Sequence, residues 1–179
     1  MESVAARRKN RRVGARPPAR AVAMSELKAL EDWVAPLLDR LSDSERRKLA
    51  VTVAKSLRAS NVASMRAQQS PDGDPWAPRK QPKRNLRGAI RSQAQRKAGM
   101  QMFTGMRSAG YLKAQGSTSD AVVGFVARVQ RIARVHHFGL PDRVKVGGPV
   151  YQYPERELLG ITAPQIEHVR DLIIAHVGR

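Results

Sequence analysis

The histidines are the first side chains to test for chemistry. There are four in 179 residues: the adjacent pair His136-His137, then His168 and His176. On a helix, neighbours at i and i+1 point about 100° apart, which makes a poor metal clip. His168 and His176 stand more than two helical turns apart. The chain has no cysteine, which excludes a thiol nucleophile, a disulfide framework and a thiolate-bound zinc or iron–sulfur centre. A serine nucleophile needs a positioned base and a strained turn such as GxSxG, and Gly105-Met106-Arg107-Ser108 is not one. Phosphate loops of the Walker or dinucleotide type are missing. Asp72 and Asp74 sit in a turn that wants Asp for backbone reasons. The expectation is a non-enzymatic binding or structural protein, with no catalytic residue, metal or cofactor and no small-molecule substrate.

Charge is the next signal. The net charge is +18, and it is unevenly placed. Residues 1–23 hold seven basic residues and one acid. Residues 24–74 balance, and residues 75–119 hold ten basic residues with no acid. Residues 1–23 have almost no large apolar side chain, so burial cannot offset their ordering entropy. They are expected to form a disordered basic arm. Within the second block, Arg79, Lys80, Lys83, Arg84 and Arg87 are candidate DNA-proximal cations, which would attract phosphate without reading sequence. A basic nucleic-acid-binding protein is therefore the competing reading, although no zinc finger, helix-turn-helix or stacking motif supports it. No apolar run is long enough for a membrane-spanning helix, and no secretory signal is expected.

The elements that must position these residues follow from spacing. Leu27, Leu30, Val34, Leu37, Leu38 and Leu41 form one helical stripe, expected to begin near Ser25 and to kink or divide at Pro36. Ser42-Asp43-Ser44-Glu45 is a capping box. It opens a second helix with Leu49, Val53 and Leu57 buried, Ala50 and Ala54 allowing close approach, and Arg46, Arg47, Lys48, Lys55 and Arg58 facing outward. Together the two helices make an αα-hairpin over 24–67. Five prolines and glycines between 68 and 85 predict a long loop, with Trp76 its one large apolar residue, placed either to anchor the loop to the domain, the more ordinary role, or to insert into a neighbour. Residues 86–107 read as weakly helical. Two strands, Tyr111–Ala114 and Ala121–Val126, flank a turn. A short helical stretch ends at Gly139, and Val144–Tyr153 supplies another strand or hairpin. Thr162-Ala163-Pro164-Gln165 caps a last helix, whose buried side carries Ile166, Val169, Leu172, Ile173 and His176. The fold class is α+β: an N-terminal helical hairpin, a small antiparallel sheet and a C-terminal helix. The division is 1–23 arm, 24–67 hairpin, 68–85 loop and 86–179 α+β part.

Several local pieces can be read together. They are the PDG-x-PW-x-PRK loop from Pro71 to Lys80, Phe103-Thr104-Gly105, the H-x-FG turn from His136 to Gly139, and the R-x-LLG step from Arg156 to Gly160. Their order and content, over residues 24–179, resemble the phage virion morphogenesis family, the tail completion proteins of contractile-tailed bacteriophages. Residues 1–23 lie outside that pattern. The resemblance implies a structural protein of the virion, at the head-proximal end of the tail, assembled in the host cytoplasm and needed for head–tail joining. It also implies a homo-oligomeric ring, a hexamer, contacting tail tube or tail terminator and head connector proteins. The assembly candidates are then Trp76, Arg79, Lys80, His136, Phe138 and Arg156. The Pro-rich loop is expected to reach a neighbour, so loss of Trp76 is expected to tell on assembly more than on folding. Arg156 offers a fixed fork of donors for backbone carbonyls or for a neighbour's carboxylate.

Overall fold

The computed structural model describes residues 19–39, 41–79, 101–143 and 146–178. Helix α1 spans Ala19–Leu38 and α2 spans Asp43–Ala67. Strands β1 (Leu112–Gly116) and β2 (Ala121–Phe125) form one antiparallel ribbon. Helix α3 (Ala127–His137) leads to β3 (Pro141–Arg143) and β4 (Val150–Gln152), a second antiparallel ribbon. Helix α4 (Ala163–Val177) closes the described chain. The fold is α+β as expected, with two small sheets where the sequence suggested one.

The capping box behaves as its spacing dictates. The Ser42 side chain accepts from the Glu45 N–H at 3.4 Å, and Glu45 Oε2 accepts from the Ser42 N–H at 3.2 Å. The Ser42 N–H, and then the Ser42 hydroxyl, donate to the Glu45 carboxylate and hold it below its ordinary pKa. The stripe that follows buries Leu49, Val53, Ala54 and Leu57, then Asn61 and Met65. Against its first half pack Leu30 from α1 and Ile166, Val169 and Ile173 from α4. Around its far end Met65, Trp76, Leu112, Ala133 and Leu158 form a second cluster. The long helix α2 is therefore common to both cores.

Gly116 shows how closely β1 lies on α2. A Cβ there would stand 2.4 Å from the Val51 nitrogen and 2.7 Å from the Ala50 carbonyl carbon. Only a glycine lets the two backbones approach this far. The small Ala54, fully buried, extends the same tight contact face.

Four expectations need correction. Helix α1 begins at Ala19 rather than near Ser25, so residues 19–23 of the expected arm are helical. Ala and Arg are good helix formers, and no breaker stands between Pro18 and Ser25 to delay the start. Pro36 does not divide α1. It falls in the last turn, where its missing N–H leaves the Asp32 carbonyl without its helical partner, and the helix ends two residues later. Residues 101–107 are turns, not helix, and the rest of the weakly helical stretch, 86–100, lies outside the described residues, as do 1–18. Arg46 and Arg58 do not simply face outward, and both are half-buried. Arg46 Nε donates to the Leu41 carbonyl at 3.2 Å. Arg58 Nε donates to the Leu112 carbonyl at 2.8 Å, and its Nη2 reaches the Arg107 carbonyl at 3.4 Å. For Arg58 the reason is β1 and the turn before it, which bring the Leu112 and Arg107 carbonyls to a face of α2 that helical spacing alone leaves open.

The two strand glycines give a clean test of the close approach. Gly116→Ala should destabilise the chain by about 1–3 kcal/mol, the usual cost of overpacking. Gly124→Ala, with nothing within 4 Å of its added Cβ, should be neutral or slightly stabilising. Thermal or denaturant melting of the pair checks this, and equal midpoints would mean that β1 does not seat on α2 as described.

Candidate functional site: the junction around Arg156

The site is built from three chain segments far apart in sequence. The first is the end of α3. Gly139 takes φ +60°, and the Leu140 N–H bonds back to the Val135 carbonyl at 2.8 Å. This is the glycine-dependent helix stop, with the N–H two past the cap satisfying a carbonyl of the last turn. A Cβ on Gly139 would also sit 2.9 Å from the Glu155 nitrogen. Both conformation and space therefore require glycine there.

The second segment is the extended stretch from Tyr153 to Gly160, laid across that helix end. The Tyr153 N–H donates to the Leu140 carbonyl at 3.4 Å, and the Arg156 N–H donates to the His136 carbonyl at 2.7 Å. The Leu158 N–H donates to His137 Nδ1 at 3.2 Å. This bond makes Nδ1 the acceptor, so the geometry assigns the proton of the neutral ring to Nε2. Further on, the Gly160 N–H donates to Asn61 Oδ1 at 2.9 Å, while Asn61 Nδ2 donates to the Leu57 and Gly160 carbonyls.

The third segment is the loop after α2. Gln68 ends that helix in the left-handed region, and its side chain bonds both the N–H and the carbonyl of Met102. The Asp72-Gly73 turn is closed by the Ser70 N–H on the Asp74 carbonyl at 2.8 Å. Trp76 then turns inward. It is 8% exposed, its Nε1 donates to the Glu157 carbonyl at 3.2 Å, and its ring meets Phe103 edge-on at 5.5 Å.

Arg156 joins the three. Its side chain is 5% exposed. Nε donates to the Ala77 carbonyl at 2.9 Å, Nη2 reaches the Pro78 carbonyl at 3.4 Å, and Nη1 lies 3.4 Å from His136 Nδ1. No carboxylate bonds the guanidinium among the described residues, so carbonyl dipoles carry its stabilisation. Burial pulls its pKa below the ordinary arginine value, yet arginine keeps its proton in proteins. The His136 ring is packed between Phe103 at 4.9 Å and Tyr153 at 4.8 Å. Burial first, and then the Arg156 charge, hold its pKa below the usual histidine range, while Asp142 pulls weakly the other way. A neutral His136 is what the Arg156 contact requires, because only a neutral ring has a lone pair to accept.

The loop, turn and step motifs of the sequence therefore converge in space. His136 and Arg156 meet, with Trp76 in the adjoining core. Trp76 is an internal anchor here, the more ordinary of the two roles its position left open, and it is not presented to a neighbour as the assembly expectation had it. Its indole fills the second core and has no exposed face of any size. Phe138 caps the end of α3 with its ring on His137 and remains half exposed. Arg79 is exposed at the edge of the described loop, and Lys80, Lys83, Arg84 and Arg87 lie outside the described residues. Sequence reasoning missed Gln68, Asn61 and His137. Asn61 had a signal, since it continues the Leu49-Val53-Leu57 stripe, and a polar group on a buried stripe must find partners.

Two outcomes follow. Arg156→Lys keeps the charge but loses the fork, and should cost about 2 kcal/mol, or roughly 4–8 °C in melting midpoint for a chain this long. Arg66→Lys on the exposed side of α2 should be silent, whereas Arg58→Lys should be measurably destabilising. The second outcome concerns pH. The unfolded chain protonates His136 near the ordinary value of about 6.5, and the folded chain resists. Stability is therefore full above that pH and falls as pH drops through the lower, folded value. Melting midpoints between pH 8 and pH 5 should show this fall, and His136→Gln should flatten it. An unchanged slope in that variant would remove His136 as its source.

Comparison with known proteins agrees with the order of the motifs. The model of the phage virion morphogenesis family matches residues 25–178. The tail completion protein S of Escherichia phage P2 is 34% identical over 158 residues, covering 87% of this chain and 100% of that protein. No solved structure matches. With its motif junction intact and the family matched from the first helix to the last, this chain belongs to the phage virion morphogenesis family.

Proposed function

We propose that this protein is a non-enzymatic component of a phage virion that completes the head-proximal end of the tail and enables head–tail joining, acting as a homo-oligomeric ring. The observation that carries the reading is the junction around Arg156. Its conspicuous polar side chains are committed to backbone carbonyls and amides, which is what a scaffold needs and a catalytic centre does not. The relative's name, tail completion protein, points the same way. Assembly into a ring needs apolar surface that is open in the single copy, and Met24, Val122, Ile132, Phe138 and Val150 are exposed. The partners on this reading are further copies of the chain, the tail tube or terminator, and the head connector. The site of action is the neck of the virion, after assembly in the host cytoplasm.

A second, compatible role rests on charge. The acid-free stretch 75–119 in a chain of net charge +18 suits a surface close to DNA, with Arg79, Lys80, Lys83, Arg84 and Arg87 as candidate contacts. Such contact is sequence-independent and weakens as salt releases counterions.

Lysates of a phage lacking this gene test the main reading. Added protein should convert separate heads and tails into infectious particles, and Arg156→Lys should do so poorly. If heads and tails join equally well without the protein, the reading fails. Duplex binding in a salt series tests the second role. Affinity for unrelated sequences should fall steeply from 50 to 200 mM salt, and replacing the five cations by Gln should make the slope shallower.

A further inference from the structure

Among the described residues, both ribbons leave one strand edge open, and the two edges match. In the first, the Val126 N–H bonds the Tyr111 carbonyl at 2.9 Å and the Ser117 N–H bonds the Asp120 carbonyl at 2.8 Å. Antiparallel pairing alternates, so Val122 and Gly124 direct their backbone groups at β1. The N–H and C=O groups of Ala121 and Val123 point away from it. This edge borders a groove of about 430 Å³, lined by Ala121, Val122, Val123, Met24, Leu159 and Ile161 among others. The volume lies within the range of about 300–1,000 Å³ typical of sites that take a ligand. The groove is apolar and open, with Met24 62% and Val122 51% exposed. Its lining also holds Asp72 and Glu157 and no lysine or arginine, an acidic rim on a strongly basic chain.

The second ribbon supplies the complement. The Tyr153 N–H on the Leu140 carbonyl sets its alternation, with Tyr151 opposite Asp142. Val150 and Gln152 therefore direct their backbone groups outward. The other strand cannot serve, because Pro141 has no N–H and the Arg143 N–H is already bonded to Asp142 Oδ1 at 2.8 Å. Val150 is 58% exposed. No helix or other strand of the described residues packs broadly on this hairpin, and two strands alone are marginal in water. Arg143 is exposed on β3, directly across from Val150.

We propose that β4 of one copy adds as a third strand to β2 of the next copy, seating Val150 in the groove and bringing Arg143 to Asp72 and Glu157 of the receiving copy. The inference rests on the ring reading above and gives it a contact. Main-chain bonds supply the pairing, and the alternate side chains and the charge supply the fit. Donor and receiver are different surfaces, so the contact is head-to-tail, the kind that closes into a ring when its rotation allows.

Sedimentation of the full chain over a range of concentrations tests this. Val150→Pro removes the outward N–H of the donor, and Ala121→Pro removes that of the receiver at a strand's first residue, where proline is tolerated. Each variant alone should remain a single copy where the parent assembles. An equimolar mixture should stop at a dimer, since one donor and one receiver remain intact. A charge exchange covers the case in which a proline variant melts. Arg143→Glu should weaken assembly by about tenfold or more, and Asp72→Arg should restore it in the same chain. If the parent assembles and the variants assemble equally, this contact is wrong and the ring reading stands. A parent that stays a single copy at every concentration overturns both.

Discussion

A buried guanidinium with no carboxylate bonded to it among the described residues imposes a strict condition on its surroundings. Its donors must meet oxygens, and here those oxygens are the carbonyls of Ala77 and Pro78. Proline favours the condition, since the segment Ala77-Pro78 is held extended and exposes its carbonyls instead of closing a helical turn. The loop after α2 is therefore shaped by Arg156 at one end and by Trp76 in the core. The same backbone that presents Arg156 is bonded to His136, and two residues on to His137. Removing the fork would leave loop carbonyls and helix end without a common partner, so the three segments stand or fall together.

Much of this was legible in the sequence, and the reason lies in locality. The Ser42-to-Glu45 box, the α2 stripe and the strand pair around residues 117–120 depend on spacings of two to four residues, which the chain displays directly. Arg156 was legible in kind, because a fork of donors beside a strand end has few uses other than carbonyls. Which carbonyls it takes was not, since Ala77 is 79 residues away. The role of Trp76 stayed open between anchor and assembly contact for the same reason. A lone aromatic in a breaker-rich loop looks exposed until Phe103, Leu112 and Leu158 arrive from elsewhere to cover it. Arg58 looked like an outer-face cation because helical spacing knows nothing of a strand laid along the helix.

The close seat of β1 on α2 has a consequence for the rest of the molecule. With Gly116 against the Val51 backbone, one face of the ribbon is fixed to a helix and cannot bend away. Among the described residues the ribbon is only two strands wide, so its outer strand keeps outward backbone groups without a strand partner. Proteins that must stay single usually blunt such an edge with lysine, proline or a bulge. β2 reads Ala-Val-Val-Gly-Phe, with none of these. The cations of the chain are elsewhere, on α2, on α3 and through the acid-free stretch. An edge seated on its own core, uncharged in a chain of net charge +18, is a surface that folding leaves incomplete. In a protein whose family builds virions, an incomplete edge of this kind is physically suited to being completed by a neighbouring chain.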